Sequence, residues 1–130
     1  MYARRIVALL LLAPALSLAG EADQFLRLSR NALKQGDSAA ALKHAEKAVE
    51  AEPKNPVCYF MRGEALGSQR KSAEAIKDFN KALELDATFT LAVDRRGGEQ
   101  FKLGNIKESI DDFNTFIKAN PKDEAAHWRR

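Results

Sequence analysis

The chain repeats itself every 34 residues. Arg62-Gly63 recurs as Arg96-Gly97, Glu74 as Glu108, Ile76 as Ile110, and Asp78-Phe79-Asn80 as Asp112-Phe113-Asn114. In the other direction Ala75 falls on Ala41, Lys77 on Lys43, Lys81-Ala82 on Lys47-Ala48, and Glu84 on Glu50. An ungapped period held through two steps restricts the fold to stacked repeats, in which each unit buries its apolar face against its neighbours.

Each unit reads as a helical pattern, a short turn, a second helical pattern and a Pro-bearing break. In the middle unit the first helix is expected to bury Tyr59, Gly63 and Leu66. The second presents Ala75, Ile76, Phe79, Ala82 and Leu83 on one helical face. Small residues at Gly63, Ala75 and Ala82 let two helices approach, and Phe79 fills the space beside them.

These residues resemble the tetratricopeptide repeat, a helix-turn-helix unit of the same period. Tyr59, Gly63, Ala75, Phe79 and Ala82 match the aromatic, Gly, Ala, aromatic and Ala of the family pattern. Gly97, Phe113 and Pro121 match it in the following unit, and Phe25, Leu28, Ala41, Ala48 and Pro53 in the preceding one. Ser29 replaces Gly, Ala45 the aromatic, Ser109 and Phe116 Ala, and Ala87 Pro, which predicts uneven packing in the last unit. The resemblance implies an all-α, right-handed α-solenoid of antiparallel helix pairs. Its units would run 22–55, 56–89 and 90–123, with the start of a fourth at 124–130.

Residues 1–19 fall outside the repeats. Arg4 and Arg5 precede an apolar run from Ile6 to Leu16, and Ser17-Leu18-Ala19 supplies small residues before Gly20. This pattern predicts a signal peptide cut after Ala19. The alternative is an uncleaved anchor, but the run is short against the roughly 20 residues of a bilayer span. Leu18-Ala19-Gly20 is followed by Glu21 where a lipoprotein site needs Cys, and the surroundings of Arg4-Arg5 lack a twin-arginine pattern. The expectation is general export to a bacterial periplasm or beyond, with no stable membrane span after cleavage.

Loss of Arg4 and Arg5 leaves nearly balanced charge, so the basic pI of 9.1 does not argue for a nucleic-acid partner. A 45% hydrophobic and 30% charged composition excludes a disordered chain. The single Cys58 admits no internal disulfide; it either pairs between chains or packs at a helix contact.

Turn chemistry agrees with the repeat. Gly36 is placed for a left-handed helix end, Asp37 or Ser38 for the next N-cap, and Gly104-Asn105 repeats the signal. Pro53 and Pro56 interrupt helix, and Pro56 suits a first turn. The middle turn, Ser68 to Lys71, has no Gly at that place, and Gly67 is expected to loosen the preceding helix end. Gly98 should cost about 1 kcal/mol against Ala in a helix interior. It is either drift at a tolerant site or a gap for a ligand backbone. After Pro121 a new unit starts and reaches Arg130, in register with Arg96 and Arg62. The face of Ile110, Phe113 and Ile117 would then be partly bare, and the sequence reads as part of a longer protein. Otherwise a partner or second copy supplies the missing helix.

No catalytic, metal or cofactor motif is present. His44 and His127 are far apart in register, and Asp111-Asp112 point in different directions on a helix. The expectation is a non-enzyme without cofactor or metal, although a catalytic part beyond Arg130 remains a separate class. By the resemblance, a peptide groove would be lined by Asp23, Leu26, Arg27, Arg30, Leu33 and Lys34 from the first unit. Val57, Phe60, Met61, Glu64, Gly67 and Ser68 would follow from the second, and Leu91, Asp94, Arg95, Gly98, Phe101 and Lys102 from the third. The candidate binding residues are Leu26, Arg27, Arg30, Phe60, Met61, Glu64, Leu91, Arg95 and Phe101.

Phe60, Met61 and Leu91 read as apolar pockets spared from the helix-pair core, and Arg27, Arg30 and Arg95 as carboxylate ligands. The chaperone-tail clamp of this family uses Lys and Asn at positions held here by Leu26, Arg30, Met61 and Leu91, and only Arg95 matches. The predicted function is a protein-interaction adaptor that grips a partner's peptide or helical segment in the groove. The alternative is self-association into a homo-oligomer through the C-terminal edge.

Overall fold

The computed structural model describes residues 20 and 22–123; the expected signal peptide, His127 and the start of a fourth unit lie outside the described residues. Among the described residues six α-helices follow one another: α1 (22–34), α2 (Ser38–Ala51), α3 (Pro56–Ser68), α4 (Ser72–Leu85), α5 (Thr90–Lys102) and α6 (Ile106–Ala119). A 3-10 turn, Pro121–Asp123, closes the described chain. No strand occurs among the described residues. The second helices begin at Ser38, Ser72 and Ile106, and the later first helices at Pro56 and Thr90, each 34 residues after its predecessor. Successive helices pack on one another, and α3 also touches α5.

Each unit turns by the same device. The amide of Asp37 donates to the carbonyl of Ala32, Lys71 to Leu66, and Asn105 to Gln100, at 2.9 to 3.0 Å. These bonds satisfy carbonyls left open at a helix end and require one left-handed residue. Gly36 (φ 77°) and Gly104 (φ 81°) supply it. In the middle unit Arg70 takes φ 62° at the same register, so the turn forms without glycine and a side chain accepts the strain. Asp37 caps α2 by accepting from Ala40 N at 3.0 Å. Asn55 caps α3 by accepting from Val57 N, ahead of Pro56.

Within units two and three a glycine meets an aromatic ring. A Cβ on Gly63 would lie 2.7 Å from Cε1 of Phe79, and one on Gly97 would lie 2.8 Å from Cε1 of Phe113. Arg62 and Asp78 form a bidentate pair at 2.8 Å, and Arg96 and Asp112 repeat it at 2.7 and 2.8 Å. In unit one Leu28 and His44 hold those two places, and the Nδ1 of His44 is enclosed without a hydrogen-bond partner.

The two serine departures have a structural reason. The Oγ of Ser109, buried, donates to the carbonyl of Gly97 at 2.8 Å. Ser29 does the reverse across the same contact in unit one, donating from the first helix to Ala41 O at 2.9 Å. One sequence expectation needs correction: Gly67 does not loosen a helix end. It is buried beneath the Glu99 carboxylate, and an added Cβ would lie 2.7 Å from Oε1. That carboxylate accepts from Ser72 Oγ at 2.6 Å and Lys102 Nζ at 2.8 Å, which answers its charge where α3, α4 and α5 meet.

Cys58 is fully enclosed in the main apolar cluster with Leu26, Phe60, Met61, Phe79 and Ala92. Burial, helped by Glu52 and Asp23, pushes its thiol up to about 11. The packed reading of Cys58 therefore fits the structure, and pairing between chains does not.

Candidate functional site: a cavity across the first helices

The first helices of the three units supply most of one cavity of about 390 Å³. Helix α1 gives Arg30, Leu33 and Lys34; α3 gives Val57, Phe60, Met61 and Glu64; α5 gives Leu91 and Arg95, with Phe89 as its N-cap. No residue of α2, α4 or α6 lines it. The period explains this. Residues 34 apart occupy matching places on successive first helices, so three short stretches converge without any long-range sequence signal. The volume lies within the usual range of ligand sites, roughly 300 to 1,000 Å³.

The floor is apolar. Phe60 stacks obliquely against Phe79 (5.7 Å between centroids) and Phe89 (4.9 Å). Met61 is 4% exposed and Phe60 7%. Both belong to the main core as well as to the cavity, which corrects the expectation that helix packing spares them. Leu91, 38% exposed, is the apolar lining residue most open to an incoming side chain.

One wall is charged and already paired. Arg95 Nε lies 3.2 Å from Glu64 Oε1, and its Nη1 lies 2.7 Å from Asp94 Oδ2. Burial is the larger influence on Glu64 and raises its carboxyl above the ordinary carboxylate value; Arg95 lowers it in part, while Glu99 and Asp94 add to the rise. Arg95 is thus engaged by two acids rather than waiting for a ligand carboxylate. The opposite rim is basic: Arg30 and Lys34 are both exposed on α1.

Of the nine candidates, Arg30, Phe60, Met61, Glu64, Leu91 and Arg95 come together at this cavity. Leu26 is buried in the core, and Arg27 is exposed away from the lining. Phe101 is 63% exposed and also lies off it. Register does not explain the difference: Gly67, one period earlier, lies beneath Glu99, yet Leu33, two periods earlier, faces the cavity. Leu33, Lys34 and Val57, in the wider groove register, do line the cavity. Phe89 was missed because it precedes α5, where helical periodicity has not begun. Gly98 has open space at its Cβ position, so no packing requires it. Among the described residues, no group of three or more His, Cys, Asp or Glu could hold a metal ion. No helix there is long and apolar enough to cross a membrane.

Residues 26–88 match the family model described as tetratricopeptide repeat. DnaJ homolog subfamily C member 3 of Bos taurus is 33% identical over 103 residues, covering 79% of this chain and 20% of that protein. The chain therefore spans about a fifth of the length of such curated relatives. The first TPR of Spaghetti (RPAP3), solved bound to the HSP90 peptide SRMEEVD, shares 28% identity with a TM-score of 0.79, over 85% of this chain and 87% of that one. The first TPR domain of human RPAP3 shares 29% identity with a TM-score of 0.78, over 83% and 85%. The chain is thus similar to tetratricopeptide repeat domains, in sequence over residues 26–88 and in helical-repeat architecture over most of its length.

Proposed function

We propose that this chain is a non-enzymatic interaction module that binds a segment of a partner protein along α1, α3 and α5. The observation that carries the reading is the cavity built almost wholly from those three helices, with an apolar floor and charged walls. The similar first TPR of Spaghetti, which binds an HSP90 peptide, supports a peptide as the ligand. Rigid helices hold the lining in place, so binding orders little besides the ligand. Peptides selected by display against the protein should perturb the methyl resonances of Leu33, Met61 and Leu91. Perturbation confined to α6 would contradict the reading.

Export belongs to the same proposal and rests on residues 1–19. N-terminal sequencing of the cellular product should begin at Gly20; an intact Met1 on a soluble product would refute it.

A second reading is self-association. Phe101, Leu103, Ile106 and Ile110 are each about half exposed or more, and they lie on either side of the α5–α6 turn. Sedimentation over a wide concentration range tests this: a constant monomer mass would remove it.

A further inference from the structure

The chemistry of the cavity says what kind of segment it takes; this inference rests on the groove reading above. A free carboxylate arriving at Arg95 would meet Glu64 and Asp94 already bound to the same guanidinium. Its own charge would be repelled by both, and displacing either would strand an acid that is largely withdrawn from water. Beside this closed cluster lie Met61 and Leu91, which offer no donor to an anion. Among the described residues, the lining cations with no acidic partner are instead Arg30 and Lys34, across the apolar floor on α1. The site is therefore split: an apolar seat in the middle, a self-neutralised wall on one side, and a basic rim on the other.

We propose that the groove binds an internal segment of its partner, with a large apolar side chain seated on Phe60, Phe89 and Leu91. Acidic side chains beside it face Arg30 and Lys34. A free C-terminal carboxylate contributes nothing. The apolar seat supplies most of the affinity, since buried aromatic and aliphatic anchors dominate such interfaces. The basic rim sets orientation and makes binding salt-sensitive, as exposed charges do.

The test uses peptides of about twelve residues with a central Leu-Phe pair and Glu on each side. They are made with an amidated or a free C-terminus, and again with Lys in place of Glu. Fluorescence anisotropy reads affinity for the full chain. Amide and acid should bind within about twofold of each other, and the Lys-flanked peptide about tenfold more weakly. Changing both rim residues, Arg30→Glu with Lys34→Glu, should reverse the preference between Glu and Lys flanks. Both positions are exposed, so the fold is not at stake. A tenfold loss on amidation, or equal binding of Glu- and Lys-flanked peptides, would overturn the inference while leaving the groove in place. If Leu91→Asp leaves every peptide's affinity unchanged, or no peptide binds at millimolar concentration, the groove reading itself fails.

Discussion

Arg95 of α5 reaches Glu64 of α3 across 3.2 Å, and this pair ties two successive first helices together on the wall of the cavity. Burial nevertheless raises the Glu64 carboxyl above its ordinary value of 4.5, with Arg95 offsetting the rise only in part. An acid with a raised folded-state value favours folding below its ordinary value, and that contribution is lost as pH rises through the raised one. Glu64→Gln should therefore gain stability relative to the wild type as pH is raised from about 4 to 7. Urea denaturation at several pH values measures this, and a gap moving the other way would contradict it.

Gly97 and Gly98 are adjacent and should respond oppositely to the same change. Gly97→Ala drives a Cβ to within 2.8 Å of the Phe113 ring and 3.1 Å of Asp112 Cβ. It should cost about 1–3 kcal/mol by overpacking. Gly98→Ala meets nothing within 4 Å and should gain about 0.5–1 kcal/mol from helix propensity. Thermal melts of the two variants decide; a loss at Gly98 would mean that its open space is filled in the free protein.

The left-handed Arg70 predicts that Arg70→Gly stabilises the chain by about 1 kcal/mol. Arg70→Ala is the control, because it removes the side chain but keeps the Cβ. Equal gains in both variants would trace the effect to the side chain instead of the backbone.

The repeat made the architecture legible because each element was written three times. Gly36 and Gly104 marked two turns, and the period alone places Arg70 at the third. Contacts that recur with the period, Gly63 with Phe79 and Arg62 with Asp78, carry their own signal. Contacts that change from unit to unit do not. Ser29 and Ser109 looked like two unrelated departures until the structure set them on opposite sides of the same helix contact. The groove was half legible for a related reason. Register puts a residue near a face, but it does not say that Met61 is also core or that Asp94 and Glu64 have claimed Arg95. Those facts depend on distances between units.

The enclosed Cys58 should resist alkylation. With its thiol raised from 9.0 to about 11, the thiolate fraction near pH 8 falls about 100-fold, before any steric protection. Native protein should react with iodoacetamide far more slowly than urea-unfolded protein. Equal rates would place the thiol at the surface.

The measurement closest to the central claim compares one display-selected peptide on wild-type protein and on Leu91→Asp. Leu91 is 38% exposed, so the substitution puts a charge into the cavity without removing a core side chain. Affinity should fall by about tenfold or more while the melting temperature holds. Unchanged affinity would show that the partner binds elsewhere and that the cavity along α1, α3 and α5 is not its site.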